Sequence, residues 1–271
     1  MRIALKMAYD GRAFHGHQRQ PDCRTVEGEC LRALRIARIV SDPRAAFFRS
    51  ASRTDRGVSA VGNVIAFDTA FAPQGVAGAF NSHSAGVWAW AYALVPLSFH
   101  PRHAIERWYR YVLFANVPIG SLRDAARLFL GTHDFRSFCT DPGAAVHSIT
   151  RIEVERNDGT TLVDVWAPSF RRGMVRRIVA GMLAVASGTA TASRVQEALQ
   201  GSKQDFGSVP PEALTLMDVR YGIPFQIVHQ SHFAEAWGRR EIEHQLGLRL
   251  LRDLREATNH SPNQDTMPGL P

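Results

Sequence analysis

Residues 2–9 alternate weakly between apolar and polar positions and predict a strand, followed by a turn at Tyr9-Asp10-Gly11-Arg12. From Thr25, apolar residues recur at Val26, Cys30, Ala33, Leu34 and Ala37, a helical spacing that Asp42-Pro43 brings to an end. Residues 46–51 and 61–67 read as strands, residues 75–81 as a short helix, and the aromatic, β-branched run 87–95 as a buried strand. A second round starts near residue 102. Residues 108–114 predict a strand, and residues 122–130 a helix with Leu122, Ala125, Ala126 and Phe129 on one face. Two strands, 149–155 and 161–166, flank Asn157-Asp158-Gly159, a strong hairpin signal. An apolar helix over 174–187, a strand over 214–221 and an amphipathic helix over 238–257, with Leu246, Leu250 and Leu254 on one side, complete the pattern.

Each half thus reads as strand, helix, strands, helix, strand. This predicts an α+β fold with mixed or antiparallel sheets, divided into residues 1–103 and 104–260, with a disordered tail over 261–271. No low-complexity linker separates the halves, so a ligand belongs in the cleft between them.

Composition narrows the partner. Of 271 residues, 45% are hydrophobic and 21% charged, which excludes a disordered or fibrous chain. The net charge is +7, and all basic residues but Lys6 and Lys203 are arginine, whose planar fork suits phosphate. The charge is unevenly spread: residues 1–60 carry a net +6 and residues 101–180 a net +4, whereas residues 61–100 and 181–271 are slightly acidic. Two basic blocks point to an anionic partner. Cys23, Cys30 and Cys139 form no CxxC pair, so neither a zinc site nor a disulfide framework is indicated. His229, His232 and Glu235 make a poor metal set. The N-terminus lacks the long apolar run of a signal peptide, and residues 87–97 are too short to span a bilayer, so the chain reads as cytoplasmic.

The densest polar cluster, residues 49–60, lies between two predicted strands and sets one carboxylate, Asp55, among Arg49, Arg53 and Arg56. By composition alone this is either a solvated turn or a loop that holds an anion beside an ionised Asp. Its sequence Ser52-Arg53-Thr54-Asp55-Arg56-Gly57-Val58-Ser59-Ala60 resembles the catalytic loop (G/S)RTDxGV(H/S)A of the TruA family of tRNA pseudouridine synthases, in the version ending in Ser that archaeal and eukaryotic members carry. Five further segments resemble the family in order: Tyr9-Asp10-Gly11 with Phe14 to Gln18, Thr25-Val26-Glu27, Phe99-His100-Pro101-Arg102 followed by Arg107 to Tyr111, Gly131 to Phe138, and Phe170 with Met174 to Val179. The resemblance runs from about residue 2 to Tyr221; His17 departs from it, standing where Trp is common.

This resemblance implies the pseudouridine synthase fold and an isomerase that detaches uracil from C1′, turns it and rejoins it through C5. That reaction needs no redox step, metal or nucleotide, so no cofactor is expected. Asp55 is implied as the catalytic aspartate, which can attack or stabilise charge near C1′ or act as a base there. Tyr109 is implied to lie against the flipped base and Arg176 to pair with Asp55. Arg53, Arg102, Arg171, Arg172 and Arg177 are the candidates for RNA contact, while His133 and Asp134 read as structural. The substrate implied is uridine at tRNA positions 38 to 40, and the bacterial members imply a homodimer. The alternatives are a related synthase acting at position 27 or 28, and a tRNA-binding or tRNA-folding protein without catalysis. The loop does not separate the first two readings; the trio Asp55, Tyr109 and Arg176 argues against the last.

Overall fold

Ile3, Leu5, Met7 and Tyr9 are all buried on one face of the first strand, β1 (Arg2–Tyr9), because side chains alternate across a pleated strand. This computed structural model describes residues 1–114, 117–141, 145–157 and 159–228 and, further on, residues 238, 241, 242 and 244–251. After β1 come α1 (Val26–Ile36), β2 (Arg49–Ser50), β3 (Ser59–Asp68), α2 (Pro73–His83) and β4 (Val87–Val95). The second round is β5 (Glu106–Leu113), α3 (Ile119–Arg127), β6 (Gly131–Asp134), β7 (Val146–Ile149), β8 (Arg151–Asn157), β9 (Thr160–Ala167), α4 (Met174–Ala186), α5 (Ala192–Leu199), β10 (Leu214–Arg220) and β11 (Gln226–Ile227). The protein is thus α+β with a mixed sheet. Met1–Val228 coheres as one unit. In the second unit, residues 241, 242 and 244–251 are helical and leave Ile242, Leu246 and Leu250 exposed; the predicted tail over 261–271 and His229, His232 and Glu235 lie outside the described residues.

Local chemistry sets most of the boundaries. The Thr25 hydroxyl accepts from the Gly28 amide and opens α1. That helix stops at Ile36, earlier than Asp42-Pro43 suggested, because Arg38 turns left-handed at φ +55°. The strand expected over 46–51 shrinks to Arg49–Ser50, since Phe47 is also left-handed at φ +49°. The hairpin around Asn157-Asp158-Gly159 forms with Asn157 opposite Thr160. The periodicity showed neither α5, the two-stranded β6–β7 sheet, nor β11.

Nine strands share the main sheet, in the order β11-β4-β1-β3-β10-β5-β9-β8, with β2 paired to β3. Every neighbouring pair is antiparallel except β3–β10, where Ser59 and Ala60 sit opposite Thr215 and Leu216. The sheet therefore continues across the predicted 103/104 boundary. α1 and α2 pack on each other and on β4; α3 and α4 pack on each other, on β8 and β5 respectively. One hydrophobic cluster runs from Leu5, Phe67 and Phe80 to Phe129, Phe138 and Ile178.

The parallel pair places the site. Two parallel strands begin at the same end of the sheet, so the segments leading into them, residues 51–58 and 209–213, are neighbours. Gly57, at φ +87°, has Pro211 and Glu212 within about van der Waals distance of where a Cβ would sit, so both its conformation and its surroundings favour glycine. Gly11 is tighter still: a Cβ there would come within 2.1 Å of the Val58 carbonyl oxygen, a backbone atom that cannot swing aside. The Gly11 amide also donates to the Ser59 hydroxyl at 3.0 Å, so the first turn is clasped to the end of the 51–58 loop. Gly11→Ala should therefore force that loop outwards and lower stability by about 1–3 kcal/mol, the usual cost of overpacking. A urea midpoint unchanged from that of the wild type would contradict this clasp.

Candidate active site

Residues 51–58 are irregular, yet buried hydrogen bonds hold both ends of the loop and Thr54 in its middle. The Ala51 amide donates to the Val64 carbonyl at 2.8 Å. Asn63, fully buried on β3, does most of the rest: its amide nitrogen donates to the Ser52 carbonyl and the Tyr9 hydroxyl, both at 3.0 Å, while its oxygen accepts from the amides of Ser52 (3.3 Å) and Val64 (2.9 Å). The Tyr9 hydroxyl is also 2.9 Å from the Thr54 hydroxyl, and the Thr54 carbonyl accepts from the His17 amide at 3.0 Å. Such a network, satisfied at each member, holds a loop in one geometry. The Val58 amide then closes a turn onto the Asp55 carbonyl at 3.1 Å, which leaves the Asp55 side chain partly exposed.

Two cations from the second round meet that carboxylate. The Arg172 Nε lies 3.5 Å from Asp55 Oδ1, and the Arg176 Nη1 lies 3.7 Å from Oδ2. Arg176 is steadied by its Nε, which donates to the Val209 carbonyl at 2.7 Å, just ahead of β10. The Asp55–Arg176 pairing implied by the sequence is present; Arg172, read there as a phosphate contact, also reaches Asp55. Arg171 and Arg177 instead face carboxylates of their own, Asp141 at 2.7 Å and Asp205 at 3.2 Å.

Tyr109 stands on β5 between Leu216 and Val165, buried, with its ring edge-on to Phe170 at 5.2 Å. Burial pushes its hydroxyl up to about 12, with Asp55 adding to the rise and Arg107 and a hydrogen bond with Ser52 opposing it. The phenol is thus neutral at physiological pH and within electrostatic reach of both Asp55 and the loop. Tyr111 is buried on the same strand face. Arg53 and Arg102 are exposed.

Sequence reasoning gave no role to Arg107, although it sits two residues before Tyr109. It is buried and donates from Nε to the Ser52 hydroxyl (3.1 Å) and from Nη2 to the carbonyls of Ala51 (3.3 Å) and Arg102 (2.9 Å); its Nη1 donates to the Pro168 carbonyl. Asn63 stood in no motif, and Tyr9 and Thr54 stood in motifs without a role, since nothing in their spacing marks a network closed through tertiary contacts. Among the described residues no three His, Cys, Asp or Glu side chains gather as a metal site, and no helix is long and apolar enough to cross a membrane.

A family profile described as tRNA pseudouridine synthase matches residues 125–222. The chain is 39% identical over 274 residues to a tRNA pseudouridine synthase A of Methanococcoides burtonii, covering 98% of this chain and 100% of that protein. It is 44% identical over 238 residues to the protein of the same name from Pyrococcus furiosus, covering 85% and 88%. Among solved structures, that of a Cbf5-Nop10-Gar1 complex aligns with a TM-score of 0.34 and 13% identity over 67% of this chain and 44% of that one, a likeness too slight to bear on the site.

The departure at His17 has a physical consequence. Its ring is buried beside Tyr9, at 6.3 Å between centroids, and neither nitrogen has a hydrogen-bond partner among the described residues. Burial, helped by the charge of Arg53, pushes the imidazole down to about 4. The unfolded chain takes up a proton near pH 6.5, while the folded protein refuses it until about pH 4, so stability is full above pH 6.5 and falls as the pH drops through that window. Between pH 7 and pH 5 the wild type should lose about 2 kcal/mol more than His17→Phe. Parallel urea titrations of the two proteins at both pH values measure the difference; equal losses would contradict the buried neutral ring.

Proposed function

This chain belongs to the tRNA pseudouridine synthases, an isomerase family, and from that membership we propose that it converts uridine to pseudouridine in the anticodon stem-loop of tRNA, at positions 38, 39 and 40. The observation that carries the reading is the set of charges around Asp55. One carboxylate, on a loop fixed by buried hydrogen bonds, is faced by Arg172 and Arg176 from a different part of the chain. Binding RNA through its phosphates needs cations; it has no use for a carboxylate at their centre. A reaction at C1′ does, because a carboxylate there can attack the carbon, stabilise its charge or remove a proton.

Asp55 is the proposed catalytic group and Arg176 its partner, with Arg172 sharing that task. Tyr109 supplies a flat, neutral ring for the extruded uracil. Arg53 serves the space vacated by the flipped nucleotide or a phosphate, and Arg102, Arg171 and Arg177 serve the RNA backbone. The pairs Arg171–Asp141 and Arg177–Asp205 make the last two weaker phosphate ligands than exposed Arg53 and Arg102. The isomerisation leaves atom count and oxidation state unchanged, so the residues of the chain suffice for it. The protein acts on cytoplasmic tRNA as a homodimer.

Incubation with unmodified tRNA, followed by carbodiimide treatment and mapping of reverse-transcription stops, should place pseudouridine at positions 38–40. Asp55→Ala should abolish the stops while retaining tRNA affinity within about threefold. Stops at 27 or 28 alone would refute the position, and equal stops with Asp55→Ala would refute the mechanism. Light scattering of the purified protein should give twice the chain mass of 30.1 kDa; a monomer mass with full activity would rule out the homodimer.

A further inference from the structure

The turn at residues 100–103 gathers cations without an anion. Its backbone closes through the His103 amide, which donates to the His100 carbonyl at 3.0 Å, and the two imidazole rings lie 5.0 Å apart between centroids, tilted by 31°. The Arg102 amide donates to His100 Nδ1 at 3.2 Å. In the neutral ring this places the proton on Nε2, away from the turn. Arg102, His103 and Arg49 are exposed and His100 is half-buried. Arg49 arrives from β2, held against β3 opposite Ala66, and Arg2 from β1. Arg107 draws the two segments together, since its Nη2 binds both the Ala51 and the Arg102 carbonyls.

The electrostatics of this cluster are unbalanced. Among the described residues Arg49, Arg102, His100 and His103 have no carboxylate partner; only Arg2 has one, with its Nε 2.7 Å from Asp68. His100 is held below the usual histidine range, first by desolvation and then by the charges of His103, Arg102, Arg49 and Arg2. Mutual repulsion of this kind is relieved by an anion, and a phosphodiester oxygen accepts from guanidinium and imidazole alike.

We propose that His100, His103, Arg102 and Arg49 form a proton-linked clamp for one backbone phosphate of the RNA substrate, outside the cluster at Asp55. The clamp rests on the reading of the protein as a tRNA-binding enzyme. Its sign follows from the charges: a bound phosphate offsets the positive charge of Arg102 and Arg49, so the imidazoles hold protons more tightly in the complex than in the free protein. Binding therefore takes up protons, and affinity rises as the pH falls. The Arg102 amide opposes protonation of His100 Nδ1 with or without RNA, so the difference between the two states comes from the phosphate alone.

The test is filter binding of unmodified tRNA to the full chain at pH 8 and pH 6 at fixed ionic strength. The wild type should bind about tenfold tighter at pH 6, the effect of two imidazole protons whose affinities each shift by about one unit on binding. The double variant His100→Gln/His103→Gln should be nearly flat across the same range. His103→Arg, which fixes a charge at that position, should bind tighter than the wild type at pH 8 and retain a smaller pH effect. A wild-type affinity that does not change with pH, or a double variant with the full tenfold response, overturns the clamp. Pseudouridine mapping on the same samples separates the two readings. Pseudouridine formation with pH-independent binding defeats the clamp alone; proton-linked binding without pseudouridine defeats the enzymatic reading and supports the clamp.

Discussion

A single buried guanidinium holds the centre of this protein together. Arg107 lies on β5, beside the parallel seam of the sheet, and its donors reach three segments: Ala51 and Ser52 in the loop, Arg102 in the turn before β5, and Pro168 after β9. It has no carboxylate partner among these groups. Burying a charge in this way is expensive unless its hydrogen bonds are met, and here carbonyl dipoles and one hydroxyl meet them. Removing the side chain would leave those oxygens unsatisfied as well as empty a cavity. Lysine would not replace it, because a point charge on a flexible stem cannot span several directions at once. The geometry around Asp55 therefore depends on a residue that does not touch Asp55.

The rest of the site follows from the same constraint. Once Ser52 is pinned between Arg107 and Asn63, the loop to Val58 has little freedom, and Gly11 closes it from the far side. Tyr109, two residues along β5 from Arg107, then faces the same region by strand alternation. From the other direction, the parallel pairing of β3 with β10 brings in the segment before β10, whose Val209 carbonyl orients Arg176. Two parts of the chain more than a hundred residues apart are thus brought into ion-pair distance by one short parallel contact.

Much of this was legible in the sequence, and the unread parts share a cause. Local signals were strong where a residue acts on its own neighbours: the start of α1 at Thr25, the hairpin at Asn157, and the alternation of β1 all read directly. The loop that carries Asp55 was legible because its composition is unusual and its motif specific. By contrast, the parallel seam rests on two residue pairs, Ser59–Thr215 and Ala60–Leu216, too few to leave a periodic trace. β11 has two residues and pairs with a strand far away in sequence. Arg107 looked like any other arginine in an arginine-rich chain, because burial, not identity, makes it exceptional. Arg172 was assigned to phosphate for the same reason: composition gives the number of cations, but only the fold tells which of them face a carboxylate.

The distances at Asp55 complete the physical picture. Charge-assisted hydrogen bonds between guanidinium and carboxylate usually measure about 2.7–2.9 Å. Elsewhere in this chain Arg2–Asp68 and Arg110–Asp164 reach that range, at 2.7 and 2.8 Å. Arg172 and Arg176 stop at 3.5 and 3.7 Å from Asp55. The carboxylate is surrounded by positive charge without being consumed by it, and its oxygens keep lone pairs for another partner. A tight bidentate pair would occupy those lone pairs and leave nothing to meet a ribose carbon. In the proposed reaction this looseness lets Asp55 act on C1′ while both arginines remain near enough to offset whichever charge develops there.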